Sequence, residues 1–100
     1  MASLRIWTAS VGPRHFLRVA GRATFACAQE VRQFGLALAE GRETELSVDL
    51  AECVGMDSSF MGVLAMIALR LRETGGRMQL GRVSDVARQV LEGLGLDAIL

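Results

Sequence analysis

An acid and two hydroxyls, Asp57, Ser58 and Ser59, stand where an apolar segment gives way to a long helical pattern. The free backbone N–H groups at a helix N-terminus and the helix dipole both favour negative charge. The two hydroxyls therefore lie in a corner that suits an anion. An aspartate at this place is also explained as an ordinary helix cap, so the residues alone permit a structural and a functional interpretation.

A strand and a helix must position these three residues. Residues 46–50 alternate apolar and polar side chains, which predicts a half-buried strand. A short loop follows, and the apolar spacing then predicts a helix from Ser58 to about Thr74 that Gly75 and Gly76 end. The predicted inward face of this helix consists of Phe60, Val63, Leu64, Ile67 and Leu71.

The N-terminal half of the chain predicts a hairpin and a helix. A strand at Leu4–Thr8 and a strand at His15–Ala20 flank turn residues at Val11–Arg14, and so short a link implies antiparallel pairing. Thr24 is predicted to cap a helix from Phe25 to Glu40. The spacing gives that helix an inward stripe of Cys27, Val31, Phe34 and Leu38.

The C-terminal part predicts one more strand and one more helix. The strand covers Arg77–Gly81, and Ser84 caps a helix over Asp85–Leu94. The predicted buried stripe of this helix is Val86, Val90, Leu91 and Leu94. The resulting order, β-β-α-β-α-β-α, predicts an α/β fold with a mixed, mostly parallel sheet of four to five strands.

Composition narrows the classes of function. The 100 residues suit a single domain over 1–100, and 11 basic and 11 acidic residues balance. Without a basic cluster, nucleic-acid binding is not expected. Cys27 and Cys53 show no metal-ligand spacing and are predicted to be small buried residues in a reducing compartment. The N-terminus lacks a signal-peptide pattern, and Ser58–Leu69 is too short to span a bilayer, so a cytoplasmic protein without membrane insertion is expected.

The residues give no indication of an enzyme. A serine nucleophile needs a base and a group that orients the base, and His15 is the only histidine of the sequence. His15 begins a predicted strand, where an ordinary surface residue is expected. The segment after Leu50 is not a glycine-rich phosphate loop, and the sequence has no set of metal ligands. No catalytic residue, cofactor or metal is therefore predicted.

Two blocks of the sequence resemble the STAS domain family, whose members include the bacterial anti-sigma-factor antagonists. In the first block, Val48-Asp49-Leu50-Ala51 and residues 57–64 are similar to the family pattern of apolar-D-L-S, a short loop and D-S-[ST]-G-L-G. The second block, residues 75–96, has the double glycine, the strand and the serine-capped helix of the family. The resemblance spans about Val19 to Leu100 and implies a single domain with the STAS-type fold.

The resemblance implies a partner-switching regulator of transcription, an anti-sigma-factor antagonist. In such proteins the first serine after the aspartate is phosphorylated by a partner serine kinase that is also an anti-sigma factor. The unphosphorylated form binds this partner and frees the sigma factor, and a phosphatase resets the system. The matching serine here is Ser58, with Ser59 as the alternative and Asp57 as the acidic neighbour.

The predicted partner surface surrounds Ser58. The residues assigned to it are Arg22, Ala23, Thr24, Asp57, Ser59, Phe60, Met61 and Met66. Where family members have Gly-Glu-Leu-Asp, this sequence keeps the glycine and replaces the acidic pattern with residues 22–24. Phe60 stands where the family usually has glycine. The spacing of Phe60 to the apolar face of its helix favours an inward ring, whereas an outward ring would anchor or block a partner.

A second function fits the same resemblance. A STAS adaptor subunit of an ABC-type lipid transport complex would bind the transporter ATPase without being phosphorylated. The pair of serines at residues 58 and 59 favours switching, whereas Phe60 and the short C-terminus favour the adaptor. Because family members commonly continue through one more strand and helix, the last strand is predicted to be short or absent. A neighbouring parallel strand would then have an open edge, which predicts a homodimer or a partner that covers the edge.

Overall fold

Helices packed on a mixed sheet make up residues 4–93, the part of the chain that the computed structural model describes. In chain order the elements are β1 (Arg5–Val11), β2 (Arg14–Ala23), α1 (Phe25–Leu38), β3 (Glu45–Leu50), β4 (Cys53–Met56), α2 (Ser58–Glu73), β5 (Arg77–Val83) and α3 (Asp85–Gly93). This architecture confirms the predicted α/β fold with a mixed, mostly parallel sheet.

The sheet has the strand order β1-β2-β3-β5. β1 and β2 form the predicted antiparallel hairpin, whose turn contains Gly12 at φ 58°, a left-handed conformation that glycine adopts without strain. β3 pairs in parallel with β2 on one side and with β5 on the other. Parallel pairing brings the C-terminal ends of β2 and β3 to one edge of the sheet, and the Asp57 corner lies beyond that edge.

β4 corrects the predicted element order. The segment after Leu50 is not simply a loop, because Cys53–Met56 forms a short parallel strand with the end of β2 over Gly21–Ala23. The observed order is therefore β-β-α-β-β-α-β-α. Four residues that include a glycine carry too little alternation to be recognised as a strand. Their pairing depends on the extension of β2 beyond β3, which is a tertiary contact.

The hydrophobic core lies between one face of the sheet and the helices. The strand residues buried in it include Leu17, Val19, Leu46, Val48 and Leu50. Helices α1 and α2 pack closely because Gly35 has no side chain: a Cβ at that position would clash with the side chain of Ile67. This close packing fixes α1 against α2, and the N-termini of both helices reach the same carboxylate, as described below.

Most of the predicted helix faces are confirmed. Cys27 and Val31 of α1 are buried, Phe34 and Leu38 pack against the core, and the predicted face of α2 points inward. Gly75, at φ 80°, follows the end of α2. The predicted stripe of α3 is partly wrong: Ala87 and Leu91 are buried, whereas Val86 is 45% exposed.

β5 is an edge strand of the sheet formed by residues 4–93. The side chains of Arg77 and Arg82 on this strand are largely exposed, and charged residues on an edge discourage pairing with another chain. The predictions of a short or absent last strand and of the end of the last helix at Leu94 lie outside the described residues. Dimerisation through an open edge stays a prediction.

Candidate functional site

The carboxylate of Asp57 joins the N-termini of two helices. Asp57 is the N-cap of α2, and its Oδ1 accepts a hydrogen bond of 2.9 Å from the backbone N–H of Phe60. Its Oδ2 accepts a hydrogen bond of 2.8 Å from the backbone N–H of Phe25, the first residue of α1. The Asp57 backbone N–H in turn donates to the carbonyl of Ala23 at 3.1 Å. One side chain thus satisfies exposed donors of both helices and fixes them relative to each other.

Ser58 and Ser59 are the first two residues of α2, and both are exposed. The first intrahelical bond of α2 runs from the N–H of Met61 to the carbonyl of Asp57. The backbone N–H groups of the two serines precede it, so they belong to the first turn, where a helix favours anions. The predicted position of Ser58, exposed and beside the N-cap, is confirmed.

The segment that precedes α1 lies beside the same corner. Arg22 and Ala23 pair with Gly55 and Met56 of β4, which leads directly to Asp57. Thr24 caps α1, its hydroxyl accepting from the N–H of Ala26 at 3.3 Å. Arg22 is exposed and Thr24 is half-buried, so the side chains of both are accessible to a partner. The side chain of Ala23 is completely buried, so its assignment to the partner surface is wrong.

Met61 is a second correction to the predicted surface. Its side chain has no exposed area, whereas the sequence placed it among the contact residues. α2 is apolar nearly all round its first turns, and such a pattern does not distinguish the buried face from the exposed one. Met66 is half-buried and packs against the core, so only part of its side chain is available to a partner.

Phe60 folds inward, as its spacing predicted. Its ring is fully buried in the core between the sheet and the helices, so it neither anchors a partner nor covers the serines, and its place in the predicted partner surface is wrong. The small exposed residue on this part of α2 is Gly62, one turn after Ser58, where a Cβ would meet no atom within 4 Å. The helix surface next to the serines is therefore flat and open to close approach.

Phe25 is the residue that sequence reasoning missed. Its side chain is 74% exposed although it is a large apolar group, and its backbone N–H is held by Asp57. The available signal was its place in α1: Phe25 precedes the inward stripe that begins at Cys27 and does not share its spacing. A large exposed aromatic ring at the start of α1, a helix that shares the Asp57 carboxylate with the serine-bearing end of α2, is a candidate anchor for a protein partner.

Asp49 supports the corner from the end of β3. Its Oδ1 accepts from the N–H of Ala51 at 2.9 Å, and its Oδ2 accepts from Arg82 at 2.6 Å. Partial burial acts to raise the pKa of Asp49, but these hydrogen bonds and the arginine charges outweigh it and hold the pKa below its usual value. The ionised carboxylate thereby shapes the turn that leads into β4 and on to Asp57.

The two cysteines are structural. Both are buried, and burial raises the pKa of each thiol, so both stay protonated at neutral pH. The Cys27 thiol donates to the carbonyl of Thr24 and the Cys53 thiol to that of Gly55. Among residues 4–93 no three His, Cys, Asp or Glu side chains are grouped so that they could hold a metal ion. None of the helices within this range is long and apolar enough to cross a membrane.

A comparison with models of protein families shows which family this chain belongs to. A family model described as "Mlab, STAS domain" matches residues 8–100. The chain belongs to the STAS domain family. The resemblance seen in the two sequence blocks is confirmed, since the match covers both of them.

Solved structures support the same fold for this STAS domain. The anti-sigma factor antagonist SpoIIAA in its unphosphorylated form has a TM-score of 0.83 and 22% identity, over 94% of this chain and 84% of that one. An anti-sigma factor antagonist from Mycobacterium paratuberculosis has a TM-score of 0.79 and 19% identity, over 96% of this chain and 81% of that one. At these identities the likeness establishes the fold.

The STAS domain also resembles part of a longer protein. Mglu has a TM-score of 0.67 and 22% identity over 80% of this chain, which spans only 20% of the length of Mglu. No curated protein matches the sequence.

Asp57 is expected to be the main structural residue of the site in this STAS domain. Asp57→Ala removes the cap of α2 and the bond to α1, and we expect it to lower the free energy of unfolding by about 2–4 kcal/mol. Asp57→Asn keeps one acceptor oxygen, so about half of that loss is expected. Urea denaturation measures both, with Asp85→Ala in the first turn of α3 as the control. If Asp57→Ala is no less stable than Asp85→Ala, the carboxylate does not join the helices as described.

Proposed function

We propose that this chain is a partner-switching anti-sigma-factor antagonist, and that phosphorylation of Ser58 controls its binding to an anti-sigma factor that is also a serine kinase. The unphosphorylated form binds that partner and releases the sigma factor for transcription, and a phosphatase restores this form. The protein itself catalyses no reaction and acts in the bacterial cytoplasm.

The observation that carries this proposal is the exposure of Ser58 as the first residue of α2, directly after the fixed aspartate. Membership of the STAS family supports it. So do structural neighbours that are anti-sigma factor antagonists, one of them determined in its unphosphorylated form. The inward ring of Phe60 adds support, because an outward ring next to Ser58 would obstruct a kinase.

The geometry suits a switch that acts without refolding. A phosphate on Ser58 adds about −1.5 to −2 charges at neutral pH. The free N–H groups of the first turn of α2 and the helix dipole stabilise this charge locally. Asp57 keeps both helix ends in place through bonds that do not involve the Ser58 hydroxyl. The phosphate therefore acts on the partner, by charge repulsion and by the cost of removing a dianion from water at the interface.

The proposed partner surface consists of Phe25, Ser58, Ser59 and Gly62, with Arg22, Thr24, Asp57 and the exposed part of Met66 at its margin. Gly62 lets a partner approach the helix backbone, and Phe25 offers a large apolar side chain for a pocket. An apolar anchor such as Phe25 binds only if water is removed from its surroundings. A phosphate charge next to the anchor therefore weakens partner binding more than the same charge at the hydrated rim of an interface would.

Phe25→Ala is expected to weaken partner binding at least about tenfold, which is the effect of losing an interface anchor worth 1.4 kcal/mol or more. Thermal stability should change little because the ring is 74% exposed. Phe16→Ala is the matched control, since Phe16 is also exposed but lies on the sheet, in β2. Calorimetric titration of the partner into each variant makes the comparison. Equal affinities for both variants would remove Phe25 from the interface.

Substitutions at Ser58 separate binding from modification. Ser58→Ala should bind the partner with wild-type affinity and resist phosphorylation, whereas Ser58→Asp should bind it at least about tenfold more weakly because it places a charge at the contact. Ser59→Ala and Ser59→Asp are the matched controls. The proposal fails if Ser58→Asp binds as tightly as the wild type.

The adaptor function would use the same surface with a different partner. An ATPase of an ABC-type lipid transport complex would bind the wild type and Ser58→Ala equally, and no kinase would label Ser58. The ATPase of an ABC-type lipid transporter is therefore the second partner to test beside the kinase. Binding to the ATPase without labelling of Ser58 by any partner kinase selects the adaptor.

A further inference from the structure

The sheet face opposite the helices carries side chains that partner switching does not use. Strand register arranges them in cross-strand rows: Trp7, Arg18, Asp49 and Arg82 in one row, and Ala9, Phe16, Ser47 and Gln79 in the next. We call this surface the open face. Parallel strands such as β2, β3 and β5 usually have both faces covered. An uncovered face that keeps large apolar side chains calls for an explanation.

A groove of about 380 Å³ lies over these two rows. The small side chains of Ala9 and Ser47 form its floor. The larger side chains of Trp7 and Phe16 form its walls, and they are 43% and 42% exposed. Trp7 and Phe16 are diagonal neighbours on adjacent strands. Two partly exposed aromatic rings on neighbouring strands offer an apolar surface on which a flat ring can stack.

The polar side chains at the groove give it a positive rim. Asp49 lies in register between Arg18 and Arg82, and its carboxylate is bound by Arg82 at 2.6 Å. The Arg82 side chain is 67% exposed and that of Asp49 only 26%, so guanidinium rather than carboxylate faces solvent. In the following row Glu45 is likewise shared by Arg14 and Arg77. At the third ion pair the carboxylate of Glu52 is the more exposed partner of Arg18. Together, four arginines face three carboxylates in these pairs, so the rim carries an excess of one positive charge although the whole sequence has no net charge.

Arg18 connects the apolar and the charged part of the groove. Its guanidinium carbon lies 4.7 Å from the centroid of the Trp7 ring, and its Nη2 is 2.7 Å from Glu52. Its Nε has no hydrogen-bond acceptor within residues 4–93. This Nε is itself buried, whereas the Arg18 side chain as a whole is 40% exposed. A guanidinium held on an aromatic ring presents its exposed part to a planar anion in the groove.

We propose that this groove binds a small flat organic anion, an aromatic ring that bears a carboxylate or sulfonate. The ring stacks against Trp7 and Phe16, and the acidic group lies at Arg82 and Arg18. The volume of the groove is within the range of small-molecule sites, and a few charged groups at an apolar site are their usual composition. Charge complementarity selects an anion over a neutral or cationic ring.

The only tryptophan of the sequence makes the test specific, because its single indole N–H signal in a 1H–15N NMR spectrum reports on this groove. Titration with 2-naphthoate should shift that signal in a saturable manner, with a Kd below about 1 mM. The neutral isostere 2-naphthylmethanol should bind at least about tenfold more weakly, as expected when a charge-assisted hydrogen bond is lost. Arg82→Gln should abolish the preference for the anion.

Phe16→Ala should weaken 2-naphthoate binding at least about tenfold, whereas Phe25→Ala, which removes the same ring from the Ser58 surface, should leave it unchanged. Ser58→Asp should also leave it unchanged, so failure of partner switching and failure of this proposal are separate results. An indole signal that does not shift, equal affinity for the alcohol, or shifts centred on Phe25 would overturn the proposal. The proposal would also be overturned if a second copy of the chain covers Trp7. In that case the indole signal would shift with protein concentration in the absence of ligand.

Discussion

Met61→Glu is expected to abolish cooperative folding at neutral pH. The Met61 side chain has no exposed area and lies in the first turn of α2. A carboxylate at this place would be ionised and unpaired in the core, or protonated at a large cost in pKa. Either cost is about 5 kcal/mol or more, comparable to the whole stability of a small domain. Far-UV circular dichroism with urea denaturation measures the loss.

Two substitutions on the same helix serve as controls for Met61→Glu. Met61→Leu keeps the apolar volume and should cost less than about 1.5 kcal/mol. Leu69→Glu places the same charge at a residue that is 49% exposed, and its effect should stay within about 0.5 kcal/mol. A folded Met61→Glu protein of wild-type stability that no longer binds its partner would instead place Met61 on the contact surface.

Phe60→Ala is expected to lower the free energy of unfolding by about 3–5 kcal/mol. The ring of Phe60 is fully buried and belongs to the same core cluster as Leu50 and Leu64, so its removal loses transfer free energy and leaves a cavity. Phe60→Gly, which restores the usual family residue, should cost about 1 kcal/mol more because of its low helix propensity. Urea denaturation of both variants gives the values.

A kinase assay distinguishes a packed ring from one that obstructs access. Phe60→Leu should keep most of the packing, and Ser58 in this variant should be phosphorylated at the wild-type rate, since the ring points away from the serines. A loss of no more than about 1 kcal/mol in Phe60→Gly, which helix propensity alone explains, together with faster phosphorylation, would show that the ring covers Ser58.

The fold could be predicted to the extent that local pattern determines it. The hairpin, the three helices within residues 4–93 and the strands β3 and β5 follow from alternation, helical spacing and caps at Thr24 and Ser84. β4 could not be predicted, because its four residues form a strand only by pairing with the extended end of β2. The exposure of Val86 has a similar cause, since the packing of α3 against neighbouring elements, not spacing alone, decides which side is covered.

The sequence was sufficient to predict Asp57 and Ser58 at the site, but not which of the surrounding residues are exposed. The order of Asp57 and Ser58 before an apolar helix was sufficient to place the cap and the exposed hydroxyl. Met61 was misplaced because α2 is apolar on several sides, and Ala23 because the burial of so small a side chain depends on β4. The bond from Asp57 to the N–H of Phe25 spans 32 positions of sequence, so no local pattern could indicate the double cap or the exposed ring beside it.

The most direct test of the central claim is to map the phosphorylated residue. The purified protein would be incubated with ATP and the proposed partner kinase. The modified peptide would be identified by mass spectrometry, and binding to the partner would be measured before and after. We predict a single phosphate on Ser58, present in Ser59→Ala and absent in Ser58→Ala, and loss of binding once it is attached. A phosphate on Ser59, or a phosphate on Ser58 that leaves binding unchanged, would contradict the proposed switch.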